Sequence, residues 1–291
     1  MKTRMGRRAW LNVWLAAALA ALVWVVWQEP GHAPKPATKL TSLAPDSVTQ
    51  VTLVNASGTL RLAKKDGRWQ LLAPYEIAAN PVRVQDLLQV ATAESHAQFS
   101  GAGKDLTPFG LVKPAITLRL DDTELRFGST TPVDQRRYVE IGDTIHLIDD
   151  QYGFDLGADA AAYVSRDLVP PGAKLIAIRL PELSLSRAAD GGWEAVPALQ
   201  GASAAKLQAL ADAWREAQAL RVAPYDKRPG QATVSLAIAG GQAPLHYEII
   251  ARDPELILAR PDLGLQFYLP KDDAARLLAP TPAAKDKDKQ K

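Results

Sequence analysis

The sequence predicts an α+β fold of two tandem repeats, each an antiparallel sheet packed on one main helix, after an N-terminal transmembrane helix. Three observations carry this. A hairpin motif is written twice, as "KKDGRWQLLAP" (Lys64–Pro74) and "AADGGWEAVPA" (Ala188–Ala198). An amphipathic helix pattern follows each hairpin, and clean apolar–polar alternation follows each helix. A basic head and a long apolar run precede everything.

The head, residues 1–8, carries Lys2, Arg4, Arg7 and Arg8 and no acid. The run Ala9–Trp27 has Asn12 as its one polar member. As a helix it spans about 28 Å at 1.5 Å per residue, close to the roughly 30 Å of a bilayer's hydrocarbon. The positive-inside rule then places the N-terminus in the cytoplasm and the rest outside the inner membrane. Trp10, Trp14, Trp24 and Trp27 sit near its ends, where an indole keeps its ring buried and its N–H wet. The competing reading is a cleaved signal peptide, whose apolar core is shorter, about 7–15 residues. Pro34 directly after Gly31-His32-Ala33 opposes cleavage there. Residues 28–45 read as a proline-rich spacer. The tail, 281–291, alternates charges, offers no core residue, and reads as disordered.

Repeat one is expected over 46–170 and repeat two over 171–280. In repeat one, Val48, Val51 and Leu53 begin a strand, Leu60 and Leu62 face the core, and Asp66-Gly67 turns the chain to Trp69 and Leu71. Asn80 caps a helix with Pro81 at its first position and the stripe Val84, Leu87, Leu88, Ala91. Strands follow at Ile116–Leu120, Leu125–Phe127 and through "RRYVEIGDTIHLID". In repeat two the matching positions are Ile176, Ile178 and Leu180, then Leu183 and Leu185, then Asp190-Gly191 as the turn to Trp193. Ser203 caps its helix, with the stripe Leu207, Leu210, Ala211, Trp214. Strands follow at Val234–Ile238, at Leu245–Ile249 and through "ELILARPDLGLQFYLP". Short helices are expected at Asp159–Val164 and Asp272–Leu278, and the seam near Val169-Pro170-Pro171-Gly172.

Trp69, Pro74, Phe109-Gly110-Leu111 with Pro114, Gly128 and Tyr138-Val139 stand in a pattern that resembles the envelope-protein family called domain of unknown function 4340. The likeness covers roughly 46–170. Repeat two departs from it, with "KRPGQATV" (Lys227–Val234) where repeat one has Gly110-Leu111. The resemblance implies a membrane-anchored protein, and some members are similar to accessory subunits of envelope transport systems. It implies no catalytic residue.

The chain of 291 residues is 47% hydrophobic and has no cysteine, which removes disulfides, thiolate metal sites and cysteine nucleophiles. Its net +2 is concentrated at the ends, since residues 40–280 hold 24 basic and 29 acidic side chains. A mildly acidic folded part argues against a nucleic-acid partner. No cofactor or metal site is expected, because His32, His96, His146 and His246 show no ligand spacing. Ser203-Ala204-Ala205-Lys206 matches a serine–lysine nucleophile spacing, yet Ser203 is expected as a helix cap and no partner motif exists. "GAGKDL" (Gly101–Leu106) lacks the third glycine of a dinucleotide loop. The pairs Asp121-Asp122, Asp149-Asp150 and Asp272-Asp273 read as turn and cap chemistry.

The functional expectation is a single-pass inner-membrane protein with a non-catalytic periplasmic ectodomain. It would serve as scaffold or accessory subunit for an envelope protein partner. Phe109, Gly110, Leu111 and Pro114 form a candidate interaction loop. The alternatives are a module binding a glycan or peptide between the repeats, and a hydrolase with convergent carboxylates.

Overall fold

The computed structural model describes residues 10, 14–21, 24, 38–198, 203–241 and 243–278. The head 1–8, nine of the nineteen residues of the expected span Ala9–Trp27, the spacer's residues 28–37 and the tail 281–291 lie outside these. Residues 14–21 are helical. Among the described residues no helix is long and apolar enough to cross a membrane.

The chain is sheet-rich. β1 (Thr38–Lys39) leads to a meander of β2 (Gln50–Asn55), β3 (Gly58–Lys65), β4 (Arg68–Ala73) and β5 (Ile77–Ala78). Helix α1 (Pro81–Gln89) follows, then β6 (Glu94–Ser95), which pairs with β1, and β7 (Ala97–Ser100). A second meander runs through β8 (Ile116–Leu120), β9 (Thr123–Thr130), β10 (Arg136–Ile141) and β11 (Thr144–Asp149). Helix α2 (Gly153–Leu156) and a 3-10 turn at Ala160–Tyr163 come next. The pattern then restarts with β12 (Leu175–Arg179), β13 (Ser184–Arg187), β14 (Trp193–Val196) and α3 (Ala204–Glu216). It ends with β15 (Arg221–Pro224), β16 (Ala232–Ile238), β17 (Leu245–Ala251), β18 (Leu256–Arg260), β19 (Leu265–Leu269) and α4 (Lys271–Leu278).

Both large sheets are antiparallel throughout and share one strand order. The first runs β5-β4-β3-β2-β8-β9-β10-β11-β7 and the second β14-β13-β12-β16-β17-β18-β19-β15. β2–β5 in the first and β12–β14 in the second run outward to one edge, the helix carries the chain across the sheet, and the next strand of that sheet, β7 or β15, lies at the opposite edge. Helix-period stripes decide which face is covered: Val84, Leu87 and Leu88 of α1 and Leu207, Leu210, Ala211 and Trp214 of α3 are all buried. One continuous core includes these stripes and the inner faces of both sheets.

Local chemistry explains the turns. Asp66 and Gly67 both take positive φ, 48° and 75°, as a two-residue turn between right-twisted strands requires. Asn80 accepts from Val82 N at 3.1 Å and Arg83 N at 3.4 Å, so it caps α1 as its sequence position indicates. The Asp121 carboxylate accepts from Gln50 N at 2.8 Å and Thr49 Oγ1 at 3.0 Å, which ties the β8–β9 turn to the start of β2.

Three details depart from the sequence reading. The second hairpin is joined by Ala188–Gly192, because Arg187 pairs with Trp193, and Asp190-Gly191 is part of that longer loop. Ile176 is 37% exposed while Leu175 is buried. A bulge between Leu175 and Ala177 shifts the register and reverses which residue faces inward. Ser203 stands at the cap position of α3, but its side chain makes no capping hydrogen bond.

The sheets are joined by a strap rather than by a free linker. On one side Asn80 N donates to Tyr163 O at 2.7 Å and Ser165 N to Ala78 O at 2.8 Å. On the other, Leu168 N donates to Ala217 O at 3.2 Å and Ala219 N to Arg166 O at 2.8 Å. Tyr247 Oη, buried in the second sheet, donates to Leu168 O at 2.6 Å. Residues 163–168 thus pair with the end of β5 in one sheet and with residues 217–219, just before β15, in the other.

Candidate functional site

The residues that stood out in the sequence converge on the outer face of the first sheet. Asp105 starts the approach: Thr107 N donates to its carboxylate at 2.9 Å. The Thr107 hydroxyl and backbone N–H hold the Asp105 carboxyl below its ordinary range. A 3-10 turn at Thr107–Phe109 follows, and Gly110 ends it in the left-handed region at φ 68°, ψ 22°. Phe109 then packs edge-on against Tyr138 at 4.9 Å and tilted against Phe99 at 5.5 Å. Leu111 and Ile145 are fully buried but lie outside the main core. Leu111 packs over Gly128, and Ile145 lies beside Gly101. Arg126 donates to Leu111 O and, at 2.6 Å, to Glu140, so the charge under the loop is paired.

Gly128 and Ser129 make the docking floor. They stand opposite Tyr138 where the β9–β10 register slips between Arg137 and Val139, which is a β-bulge. Of the expected interaction residues, Leu111 faces inward, Gly110 is locked against Ser129, Phe109 is half-buried and Pro114 is half-buried. The surface this stretch presents is Val112, 57% exposed, and Lys113. Copy two covers its own outer face with different residues: Tyr225 and Tyr268 pack on Ile250, Ile257 and Ala259.

A cleft of about 270 Å³ lies between the sheets, lined by Asn80, Val82, Arg83, Ser165, Asp167 and Gln218 among others. Its polar groups bond one another. Ser165 Oγ and Gln218 Nε2 donate to Asp167 at 2.9 and 2.8 Å, and Arg83 pairs with Asp155. The inter-repeat groove is therefore polar and internally satisfied.

A second cavity, about 300 Å³, opens between the β13–β14 hairpin and α3. Leu175, Ala211 and the Trp193 ring form apolar wall, and Lys174, Arg187, Asp212 and Arg215 stand around it. Trp193 is 6% exposed, and its indole N–H is buried with no hydrogen-bond partner. Leaving such a donor unpaired costs about 1–3 kcal/mol. The fold satisfies its other buried indole, since Trp214 Nε1 donates to Leu277 O at 2.9 Å. Arg187 lies over the Trp193 ring at 4.5 Å and donates to Gly191 O at 2.6 Å. The helix stripes explain the space. Leu88 and Ala211 stand at the same distance from their caps, and alanine is the smaller side chain.

The histidines stay apart. His96 pairs with Asp149 at 3.0 Å, and His146 is buried with Nδ1 at 3.0 Å from Ser95 Oγ. Among the described residues no group of three or more potential ligands could hold a metal ion. Burial lowers the His146 pKa below the ordinary value near 6.5. The unfolded chain then takes up a proton that the folded chain resists, so this histidine contributes stability above about pH 6.5 that is lost as pH falls toward its folded pKa. Thermal melts between pH 7.5 and 5.0 should show a falling midpoint, and His146→Asn should flatten that slope. An equal slope in the variant would assign the effect to other groups.

Comparison with protein-family models matches residues 69–233 to the family described as Domain of unknown function (DUF4340), and the chain belongs to that family. The match begins at Trp69 and ends in β16, so it crosses the strap instead of coinciding with the first sheet as the likeness over 46–170 had implied. No curated protein and no solved structure matches.

Proposed function

We propose that this member of the DUF4340 family is a single-pass inner-membrane protein whose two-sheet ectodomain works in the periplasm by protein contact, as scaffold or accessory subunit of an envelope assembly. The observation that carries the proposal is the order of the first 39 residues: basic head, 19-residue apolar run, proline-rich spacer, then folded chain. A transmembrane helix with a short tether is the physical use of such an order. The strap supports the second half of the proposal. It makes the two sheets one core, and a rigid platform on a tether presents a fixed surface to a membrane-bound partner.

Two measurements test this. Full-length protein should stay in the membrane through alkaline extraction, and protease added to spheroplasts should digest the part after residue 39. A chain that washes off, or that is protected from outside, ends the proposal. Crosslinking in membranes should then recover one partner in fixed ratio. A chain lacking residues 1–39 but exported by another route should retain that partner if the contacts lie in the folded part.

A further inference from the structure

We propose that copies of this chain join head to tail, the segment that enters the first sheet of one copy (residues 35–39) pairing with the β14–α3 edge of a second copy. The contact repeats between chains the junction that joins the two sheets within a chain. This inference does not depend on the membrane reading.

The two entry segments have the same build. In the strap, Leu168 N donates to Ala217 O at 3.2 Å and Asp167 stands opposite Gln218. Ahead of the first sheet, Leu40 N donates to Ala93 O at 2.7 Å and Lys39 stands opposite Glu94. Leu40 and Leu168 are both buried, and so are Ala93 and Ala217 just past the two helices. Thr38, Lys39 and Leu40 therefore correspond to Arg166, Asp167 and Leu168. The strap is paired on both sides. Backbone groups of an extended segment point alternately to its two sides. Residues 166 and 168 face the end of α3, while 163 and 165 face the first sheet, where Asn80 N donates to Tyr163 O and Ser165 N to Ala78 O. β1 is paired on one side only, since among the described residues its sheet holds just β1 and β6.

The open side has the groups the junction needs. By the same offset Lys35 and Ala37, which lie outside the described residues, correspond to Tyr163 and Ser165 and supply the acceptor and the donor. Pro36 corresponds to Val164, whose N–H goes to Ala161 O at 3.2 Å and not across the junction, so a proline there removes no contact. Within one chain the junction uses the β5 end of the first sheet and the entry segment of the second. That leaves the entry segment of the first and the corresponding edge of the second. This edge is β14, the last strand of its sheet among the described residues, with Val196 68% exposed. Ser203 stands at the cap position of α3 as Asn80 does for α1, so its N–H takes the place of the Asn80 donor. The two surfaces differ from each other, so the contact is heterologous and copies add in one direction, as an open row or a ring.

The test uses the full-length chain in mild detergent and a short bismaleimide crosslinker. The chain has no cysteine, so introduced ones are unique. Lys39→Cys with Val196→Cys in one chain should crosslink into a ladder of dimers, trimers and larger species. A mixture of the two single variants should stop at dimers, and each single variant alone should give none. Ala37→Pro removes the junction donor and should abolish the ladder with an unchanged melting midpoint, whereas Pro36→Ala should keep it. Ser203→Pro, at a φ of −78° where proline fits, should abolish it as well. The proposal is overturned if either single variant crosslinks to itself, which is a symmetric contact, or if the ladder survives Ala37→Pro. It is equally overturned if the double variant stays monomeric in detergent and in reconstituted vesicles, or if in native membranes both cysteines capture a different protein instead of a second copy.

Discussion

Gly128→Ala is expected to destabilise the full-length chain by about 3 kcal/mol or more, placing it among the most damaging single changes. A Cβ at Gly128 would lie 2.1 Å from Phe109 O and 3.0 Å from Leu111 Cγ. No real side chain tolerates the first distance, and the opposing atom is backbone, so the loop itself must lift. It is held on both flanks. Gly110 sits in the left-handed region with its own Cβ position 2.8 Å from Ser129 N, and Arg126 grips Leu111 O. Lifting the loop exposes Leu111, now fully buried, and breaks the hydrogen bond from Arg126 to Leu111 O. Gly103→Ala is the control. It also has positive φ, 71°, but nothing within 4 Å, so it should cost only about 1 kcal/mol. Urea midpoints of the two variants in the same detergent decide the matter. Gly128→Ala unfolding as late as Gly103→Ala would show that the loop is not docked on the bulge.

The same loop shows how far sequence can be read. Hairpins, helix stripes and the Asn80 cap were legible because each depends on residues a few positions apart. The role of Leu111 was not, since a buried leucine looks alike whichever face of a sheet it covers. Its partners Gly128 and Arg126 belong to a segment distant in sequence. In the second sheet Tyr225 and Tyr268 pack on Ile250, Ile257 and Ala259 instead, from other places in the strand order. The strap over 163–168 left no pattern at all, because backbone groups make most of its bonds. Ile176 failed through parity: one bulge exchanges the two faces of a strand, and nothing in the side chains announces it. The cavity was half-legible. Trp69 and Trp193 occupy matching places in the two hairpins, and the helix residues Leu88 and Ala211 differ in size.

That exchange has a counterpart one turn further on, where Ala91 in the first helix corresponds to Trp214 in the second. Ala211 and Trp214 are neighbours in one buried stripe, so volume is removed at one position and added one turn on, where the Trp214 indole meets Leu277 O of α4. Trp214→Ala should therefore destabilise the chain by about 3–5 kcal/mol, through the cavity left by a side chain with 0% exposure. Leu277 O also loses its donor. Trp214→Phe should cost about 1–2 kcal/mol, keeping most of the ring but not the hydrogen bond. Hydrogen exchange separates local from global loss. Residues of α4 should exchange first in both variants, since Leu277 and the indole contact are what dock that helix. A Trp214→Ala chain that loses less than about 1 kcal/mol, or in which α4 exchanges no earlier than the sheet, would mean that the indole is not what docks α4.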